Sequence, residues 1–225
     1  MSMNKIRRKS ANLQKFGRFI FGLEEKSRRN IENIIQLINP KKVLIVGSAE
    51  VGAGTQLLYE TENFEIVGID IYESPTVTKL CDAHNLTFED NSFDFVVCQA
   101  VLEHVHTPQL VVNEIHRVLK PGGVVYSEIP FLQAVHEYPY DYTRFTREGH
   151  RELYSSFEVI EAGINGGYLN ASAWAFRYLI LSIFRVRIIS ILLSIPIFLF
   201  SKIVEKNINC ENSFMYSGTY LCAKK

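Results

Sequence analysis

The feature that most constrains this chain is a repeated alternation of short apolar runs rich in β-branched residues with stretches of helical spacing. Val43-Leu44-Ile45-Val46 stops at Gly47 and leads through a glycine-bearing loop into a helical pattern from about Thr55 to Glu60. Ile66-Val67-Gly68-Ile69-Asp70 is a second run, Phe93-Asp94-Phe95-Val96-Val97-Cys98 a later one and Val124-Val125-Tyr126-Ser127-Glu128-Ile129 another. Between the last two, Pro108 to Leu119 is amphipathic at helical spacing and closes at Lys120-Pro121-Gly122-Gly123. Strands that are apolar throughout need cover on both faces, and parallel neighbours need a crossover long enough to hold a helix. The pattern predicts an α/β, doubly wound architecture. Ahead of it, Ile31, Ile34, Ile35 and Ile38 predict a packing helix from Glu24 to Ile38, ended by Asn39-Pro40.

The C-terminal third departs from this rhythm. Phe157-Glu158-Val159-Ile160 reads as a sixth strand and the segment from Phe214 to Cys222 as a seventh, with a helical, apolar insert over about 165–212 between them. Ile188 to Phe200 is thirteen residues without a charge, short of the roughly 18–20 that span a bilayer as a helix. Arg185, Arg187 and Lys202 bound the run, and Pro196 predicts a kink.

Lys and Arg total 24 and so do Asp and Glu, but they are unevenly placed. Residues 1–29 hold nine basic and two acidic residues, 30–176 hold eight and twenty, and 177–206 hold five and one. An acidic body flanked by basic ends is a poor match for a phosphate backbone, so nucleic acid is excluded as a partner of the centre, while the flanks suit an anionic surface. We read residues 1–40 as a basic helical lead and 41–225 as the functional domain. Cys81, Cys98, Cys210 and Cys222 lack the short spacing of a zinc or redox site and read as buried hydrophobes in a reducing, cytoplasmic setting.

Two features carry chemistry. The loop Gly47-Ser48-Ala49-Glu50-Val51-Gly52-Ala53-Gly54 lies between a strand and a helix, where ligands sit in such sheets, though its spacing is not that of a dinucleotide fingerprint. Asp70 ends the second strand, where an acid can accept from both hydroxyls of a ribose; an Asp there also suits a turn or cap.

With these in place, the stretch 42–162 resembles the class I S-adenosylmethionine-dependent methyltransferases, in particular the small bacterial type 11 group. The glycine loop is similar to the family's first motif and Asp70 to its ribose acid. Cys81-Asp82-Ala83-His84-Asn85-Leu86 is similar to the adenine segment. Ser92-Phe93-Asp94-Phe95-Val96-Val97, Leu102-Glu103-His104-Val105 and Arg117-Val118-Leu119-Lys120-Pro121-Gly122-Gly123 follow in register. The resemblance implies a Rossmann-like, seven-stranded, mostly parallel sheet with an antiparallel last strand. It implies S-adenosyl-L-methionine as cofactor, held by Gly47, Ser48, Gly52, Asp70, Ile71, Asp82, Ala83 and Gln99. The family usually has an acid where this chain has Ile45, and Glu50 is expected to take over the contact to the methionine amino group.

His136-Glu137-Tyr138-Pro139-Tyr140-Asp141-Tyr142-Thr143-Arg144-Phe145-Thr146 resembles a segment of one subgroup. From it we expect Glu137, Tyr138, Asp141, Tyr142 and Arg144 to contact the acceptor, with His136 as general base and His104 as second candidate. Asp141 and Arg144 can equally pair within a turn, with Thr146 capping the next helix. Glu103 and His104 are ligand types side by side, but one pair is too few to define a site, so no metal is expected.

These readings predict methyl transfer, at oxygen, to a small-molecule, sugar or lipid-linked acceptor. The competing account is a non-catalytic subunit of the same fold working at a membrane surface. The apolar insert leaves three roles open: peripheral attachment to the inner face of the membrane, a cap on the site, or a homodimer contact.

Overall fold

The computed structural model describes residues 23–61, 63–206, 210 and 213–225, so the lead expected over 1–21 lies outside the described residues. Helix α1 (Leu23–Ile38) enters β1 (Lys42–Val46), and a loop with the short helix α2 (Gln56–Tyr59) leads to β2 (Glu65–Asp70) and β3 (Lys79–Leu80). After β4 (Phe93–Gln99) come a single 3-10 turn (Leu102–His104), α3 (Pro108–Val118), β5 (Leu119–Pro130), α4 (Arg147–Leu153) and β6 (Glu158–Asn165). Two long helices, α5 (Tyr168–Phe184) and α6 (Arg187–Lys206), precede β7 (Gly218–Lys224).

The seven strands form one sheet in the order β3-β2-β1-β4-β5-β7-β6. β1 pairs in parallel with β2 and β4, and β4 with β5, whereas β7 runs antiparallel to both β5 and β6. The expected mostly parallel sheet with an antiparallel last strand is therefore present. Because the chain runs outward from β1 to β3 and then returns to β4, the order reverses between β1 and β4, opening a crevice beyond their carboxyl ends.

Successive strand residues point to opposite faces, and both faces are covered. Leu44, Val46, Val96, Cys98, Val125 and Leu221 pack with α3 and α4. Val43, Ile45, Phe95, Val97, Tyr126 and Tyr220 pack with Ile31 and Ile34 of α1. Gly54 shows how closely α1 sits on the first loop. Its φ is +75°, and a Cβ there would stand 2.3 Å from the Arg28 backbone nitrogen, so only glycine fits.

Three features of the structure extend or correct the sequence reading. β3 is two exposed residues at the edge, too short to leave a periodicity in the sequence. Lys120-Pro121-Gly122-Gly123 is not a turn that closes a helix but part of β5, reached by a register shift between Phe93 and Phe95. Pro196 lies inside α6, which runs through it as one continuous helix. Arg187–Glu205 is nineteen residues long and apolar enough to cross a membrane by length and composition, with 22% of that window buried. The charge-free run understated it because the helix takes in Arg187 at its start and continues past Lys202.

The base of the α5–α6 hairpin is held by one carboxylate. Glu205 accepts from the backbone N–H groups of Gly167, Leu169 and Asn170 at 2.7–3.0 Å, capping α5 from the far end of α6. Unpaired N–H groups and the dipole at a helix start favour an anion there. Each of the two helices has the other as its main packing neighbour.

On the other side, His150 of α4 is buried with its ring nitrogens 3.0 Å from Thr219 Oγ1 and Ser127 Oγ, tying α4 to β7 and β5. Burial pushes its pKa down to about 3. The unfolded chain takes up this proton near the ordinary value of about 6.5 and the folded one does not, so stability present above that pH is lost as pH falls toward 3. Denaturant unfolding is expected to show lower stability at pH 5 than at pH 7.5, with a smaller difference in His150→Gln.

Candidate active site

The site is built from three loops at the carboxyl ends of the strands. On the cofactor side the glycine loop is more constrained than the sequence suggests. Gly47 and Ser48 both donate to the Ile69 carbonyl, at 3.0 and 2.9 Å, and Ala49 donates to Asp70 Oδ2 at 2.9 Å. These amides tie β1 to β2, so they are not the open cradle expected of Gly47 and Ser48. Asp70 also accepts from Tyr72 N at 3.1 Å, which fixes its carboxylate at the end of β2 with acceptor capacity remaining. Ile71 beside it stands 63% exposed, an apolar side chain in water next to a ribose-type acceptor.

Asp82 is exposed and accepts from His84 N at 2.9 Å, while His84 Nδ1 lies 2.7 Å from the same oxygen. The His84 backbone N–H is the main cause holding its pKa below the usual value. Ala83 is buried behind it. Gln99, the last residue of β4, donates to the Ala53 carbonyl at 2.9 Å and to Glu128 Oε2 at 2.6 Å. Its Oε1 is buried without a partner among the described residues, and a Cβ on Gly52 would fall 1.9 Å from it, so Gly52 is glycine to admit this amide. Glu50 is exposed on the loop.

Glu128 is a residue that sequence reasoning missed. It is half-buried beside Tyr126, whose hydroxyl donates to it, and Gln99, and the loss of water around its carboxyl raises its pKa. The available signal was an acid inside the otherwise apolar run of β5, a position where a carboxylate must find partners.

On the other side of the Gln99 turn, Ala100 adopts φ +53° and swings the chain into the 3-10 turn that carries Glu103 and His104. Glu103 is fully buried. Its carbonyl accepts from Tyr142 N at 2.8 Å, which draws the distant 136–146 loop over it. His136 is thereby set beside His104 with ring centroids 4.8 Å apart, and the Nε2 atoms of the two rings lie 3.7 and 3.6 Å from Glu103 Oε1. Glu103, chiefly, raises the His136 pKa above its usual value.

Asp141 and Arg144 are committed to each other rather than to an acceptor. Arg144 Nη2 donates to Asp141 Oδ2 at 2.6 Å and Nη1 to Oδ1, and Asp141 also accepts from His136 N at 2.8 Å. The guanidinium holds the Asp141 pKa down at about 2. This pair is a brace that positions His136, and Thr146 caps α4 through Gly149 N at 3.1 Å. Tyr138 is 86% exposed, and Glu137 and Tyr142 are exposed beside it, which leaves these three of the expected acceptor contacts facing outward.

With this geometry established, comparison with known proteins is informative. Residues 44–127 match a family profile described as a methyltransferase domain. A demethylmenaquinone methyltransferase of Thermotoga maritima is 27% identical over 175 residues, covering 72% of this chain and 71% of that protein. This chain belongs to the class I S-adenosylmethionine-dependent methyltransferases. A ubiquinone biosynthesis O-methyltransferase of Pseudomonas syringae is 35% identical over 104 residues, 38% of this methyltransferase and 43% of that one. In fold, the 4+2 cyclase SpnF superposes with a TM-score of 0.57 at 16% identity, over 88% of this chain and 81% of that chain. A Burkholderia thailandensis 1,6-didemethyltoxoflavin N1-methyltransferase does so with 0.55 at 13%, over 90% and 78%.

The residues present fit the cofactor. Asp70 keeps acceptor capacity for two hydroxyls, Asp82 presents an exposed carboxylate, and Ile71 offers an apolar surface beside Asp70. The unpartnered Gln99 Oε1 supplies an acceptor beside the glycine loop, where Ile45 supplies none. Asp70→Asn is expected to weaken S-adenosylhomocysteine binding by about 10- to 100-fold in calorimetry, the usual size of a lost charged hydrogen bond. Asp141→Asn is expected to destabilise the fold by roughly 3 kcal/mol, read by denaturant unfolding, because it leaves Arg144 without its carboxylate.

Proposed function

We propose that this methyltransferase transfers a methyl group to an oxygen of a lipid-linked acceptor while attached to the cytoplasmic leaflet of a membrane. The observation that carries the reading is the inverted polarity of the α5–α6 hairpin. On α6 the buried positions include Ser190, Ser194 and Ser201, each hydroxyl bonded to a carbonyl of its own helix at 2.8–3.0 Å. Phe198 completes that face, packed on Ala173 and Trp174 of α5. The exposed positions are Ile188, Leu192, Leu193, Leu199, Phe200 and Ile203. At 100° per residue these cover about 140° of the helix surface on the side opposite the serines.

A helix in water turns its large apolar residues inward; small residues at the helix contact and large ones outward suit hydrocarbon. Exposed Arg185 and Arg187 at the hairpin tip match anionic headgroups in charge. A sugar or small soluble acceptor would need no such surface, and a relative named as an O-methyltransferase supports oxygen as the target.

The cofactor supplies an electrophilic methyl on a sulfonium. The chain's residues hold it at Asp70, Asp82 and Gln99, and align the acceptor oxygen from the Glu103–His104–His136 side, where the hydroxyl proton must leave. One turn after β4 carries both halves, with Gln99 facing the cofactor loop and Glu103 the acceptor side.

Two measurements test this. Full-length protein is expected to float with vesicles containing phosphatidylglycerol and far less with pure phosphatidylcholine, while Leu192→Asp/Phe200→Asp stays at the bottom with unchanged S-adenosylhomocysteine affinity. Label from methyl-tritiated cofactor is expected in the organic phase of a membrane lipid extract. Flotation with neither vesicle, or light scattering that shows a dimer dissociated by the same double substitution, would replace the membrane with a second copy.

A further inference from the structure

The carboxylate of Glu128 gathers hydrogen bonds from β4, β5, α1 and β6. Gln99 donates from Nε2 at 2.6 Å and Tyr126 from its hydroxyl, and the side chains of Ser27 and Asn165 add further bonds. Asn30 of α1 holds the Tyr126 hydroxyl from behind, donating to it at 3.2 Å. An ionised carboxylate has about four lone-pair sites, so this set of donors uses its capacity. A carboxylate occupied in this way orients its neighbours.

Two of those neighbours are amides, each with a donating and an accepting end. The Gln99 NH2 group is committed to Glu128 and to the Ala53 carbonyl at 2.9 Å, which leaves Oε1 without a partner among the described residues. Asn165 repeats the pattern: its side chain bonds to Glu128 while its buried Oδ1 has no partner among the described residues. An acceptor shut away from water without a donor is costly unless a ligand supplies one. Gln99 Oε1 faces the glycine loop, since a Cβ on Gly52 would stand 1.9 Å from it. Gln99 and Glu128 are register partners across β4 and β5, on the sheet face that also carries Ile45, Val97 and Tyr126. Ile45, one row deeper on that face, is apolar and brings no charge to the loop.

The amino-acid end of the cofactor carries an ammonium with three N–H donors and a positive charge. Asp70 and Asp82 stand after β2 and β3, whereas Glu128 reaches the glycine loop from β5 through Gln99. We infer that Glu128 is a positioning residue for cofactor binding: it fixes the Gln99 amide with Oε1 toward the glycine loop, where that oxygen accepts from the cofactor's amino group, and its charge balances the ammonium. The contact expected of the exposed Glu50 thereby passes to a carboxylate within the sheet. A carboxylate that loses its water gains most from a nearby cation, which agrees with the raised pKa of Glu128. The inference rests on the cofactor site and is independent of the membrane and of the atom methylated.

The test is calorimetric titration of the full chain with three ligands: S-adenosylhomocysteine, its analogue lacking only the amino group, and methylthioadenosine, which lacks the whole amino-acid end. The unsubstituted protein is expected to prefer S-adenosylhomocysteine to the deaminated analogue by about 10- to 100-fold. Glu128→Gln and Gln99→Met are each expected to erase that preference while changing the affinity for the other two ligands by less than about 2-fold, and together to cost no more than either alone. Glu128→Asp, which keeps the charge, is expected to retain part of the preference, and Asp70→Asn to weaken all three ligands. Circular dichroism on the same samples confirms folding, and Glu128→Asp carries the comparison if Glu128→Gln does not fold. Equal weakening of all three ligands by the Glu128 substitutions makes the residue structural only and overturns the inference. So does an unchanged affinity for S-adenosylhomocysteine, or an unsubstituted protein that binds the deaminated analogue equally well. Failure of the folded, unsubstituted protein to bind any of the three removes the cofactor site itself.

Discussion

A sheet whose central strands are buried on both faces can place polar chemistry only where the strands end, and that constraint organises this molecule. β1 and β4 run through the core with almost no polar side chain, and the candidate site residues Asp70, Gln99 and Glu103 come at or just after the last residue of a strand. The reversal of strand order between β1 and β4 then separates the loops on either side, so a ligand can enter between them. Glu128 is the instructive exception. A half-buried carboxyl within β5 is held by Tyr126 and Gln99, and through Gln99 it is linked to the glycine loop.

The end of β4 and the turn after it link the two sides of the candidate site. Gln99 is bonded into the cofactor loop, and four residues later Glu103 is buried under a loop from a distant part of the chain. The Asp141–Arg144 brace explains how an exposed, tyrosine-rich segment can still hold a histidine in a defined place: the ion pair fixes the backbone of His136 and leaves its ring free to face Glu103. Placing acceptor chemistry on a loop held by internal bonds lets the surrounding tyrosines vary without moving the histidine.

The hairpin distributes its large apolar side chains differently from the rest of the fold. The two sheet faces bury large side chains and expose charges, whereas α6 buries serines and exposes isoleucine, leucine and phenylalanine. Glu205 anchors it to the domain at its base, near Gly167 and the ends of β6 and β7, so an apolar surface is attached to a catalytic body without passing through its core.

How much of this was legible in the sequence follows from how local each signal is. The strand and helix order and the helix expected over Glu24–Ile38 were readable because each is written in hydrophobic period and turn residues within a dozen positions, whereas the antiparallel last strand came from the family resemblance alone, since strand direction depends on pairing. The two-residue β3 and the strand character of Lys120–Gly123 were not, since both depend on pairing with a neighbour. Asp70 and Gln99 were legible as the ends of apolar runs. The amides of Gly47 and Ser48, turned to Ile69 rather than outward, and the mutual pairing of Asp141 with Arg144 were open until the fold chose between alternatives. The sequence alone determined a parallel α/β sheet with its chemistry at the strand ends, because periodicity and termination are local. Only the tertiary structure decided that His136 joins His104 over a buried Glu103, and that α6 faces outward with its large residues, because both depend on which distant surfaces meet.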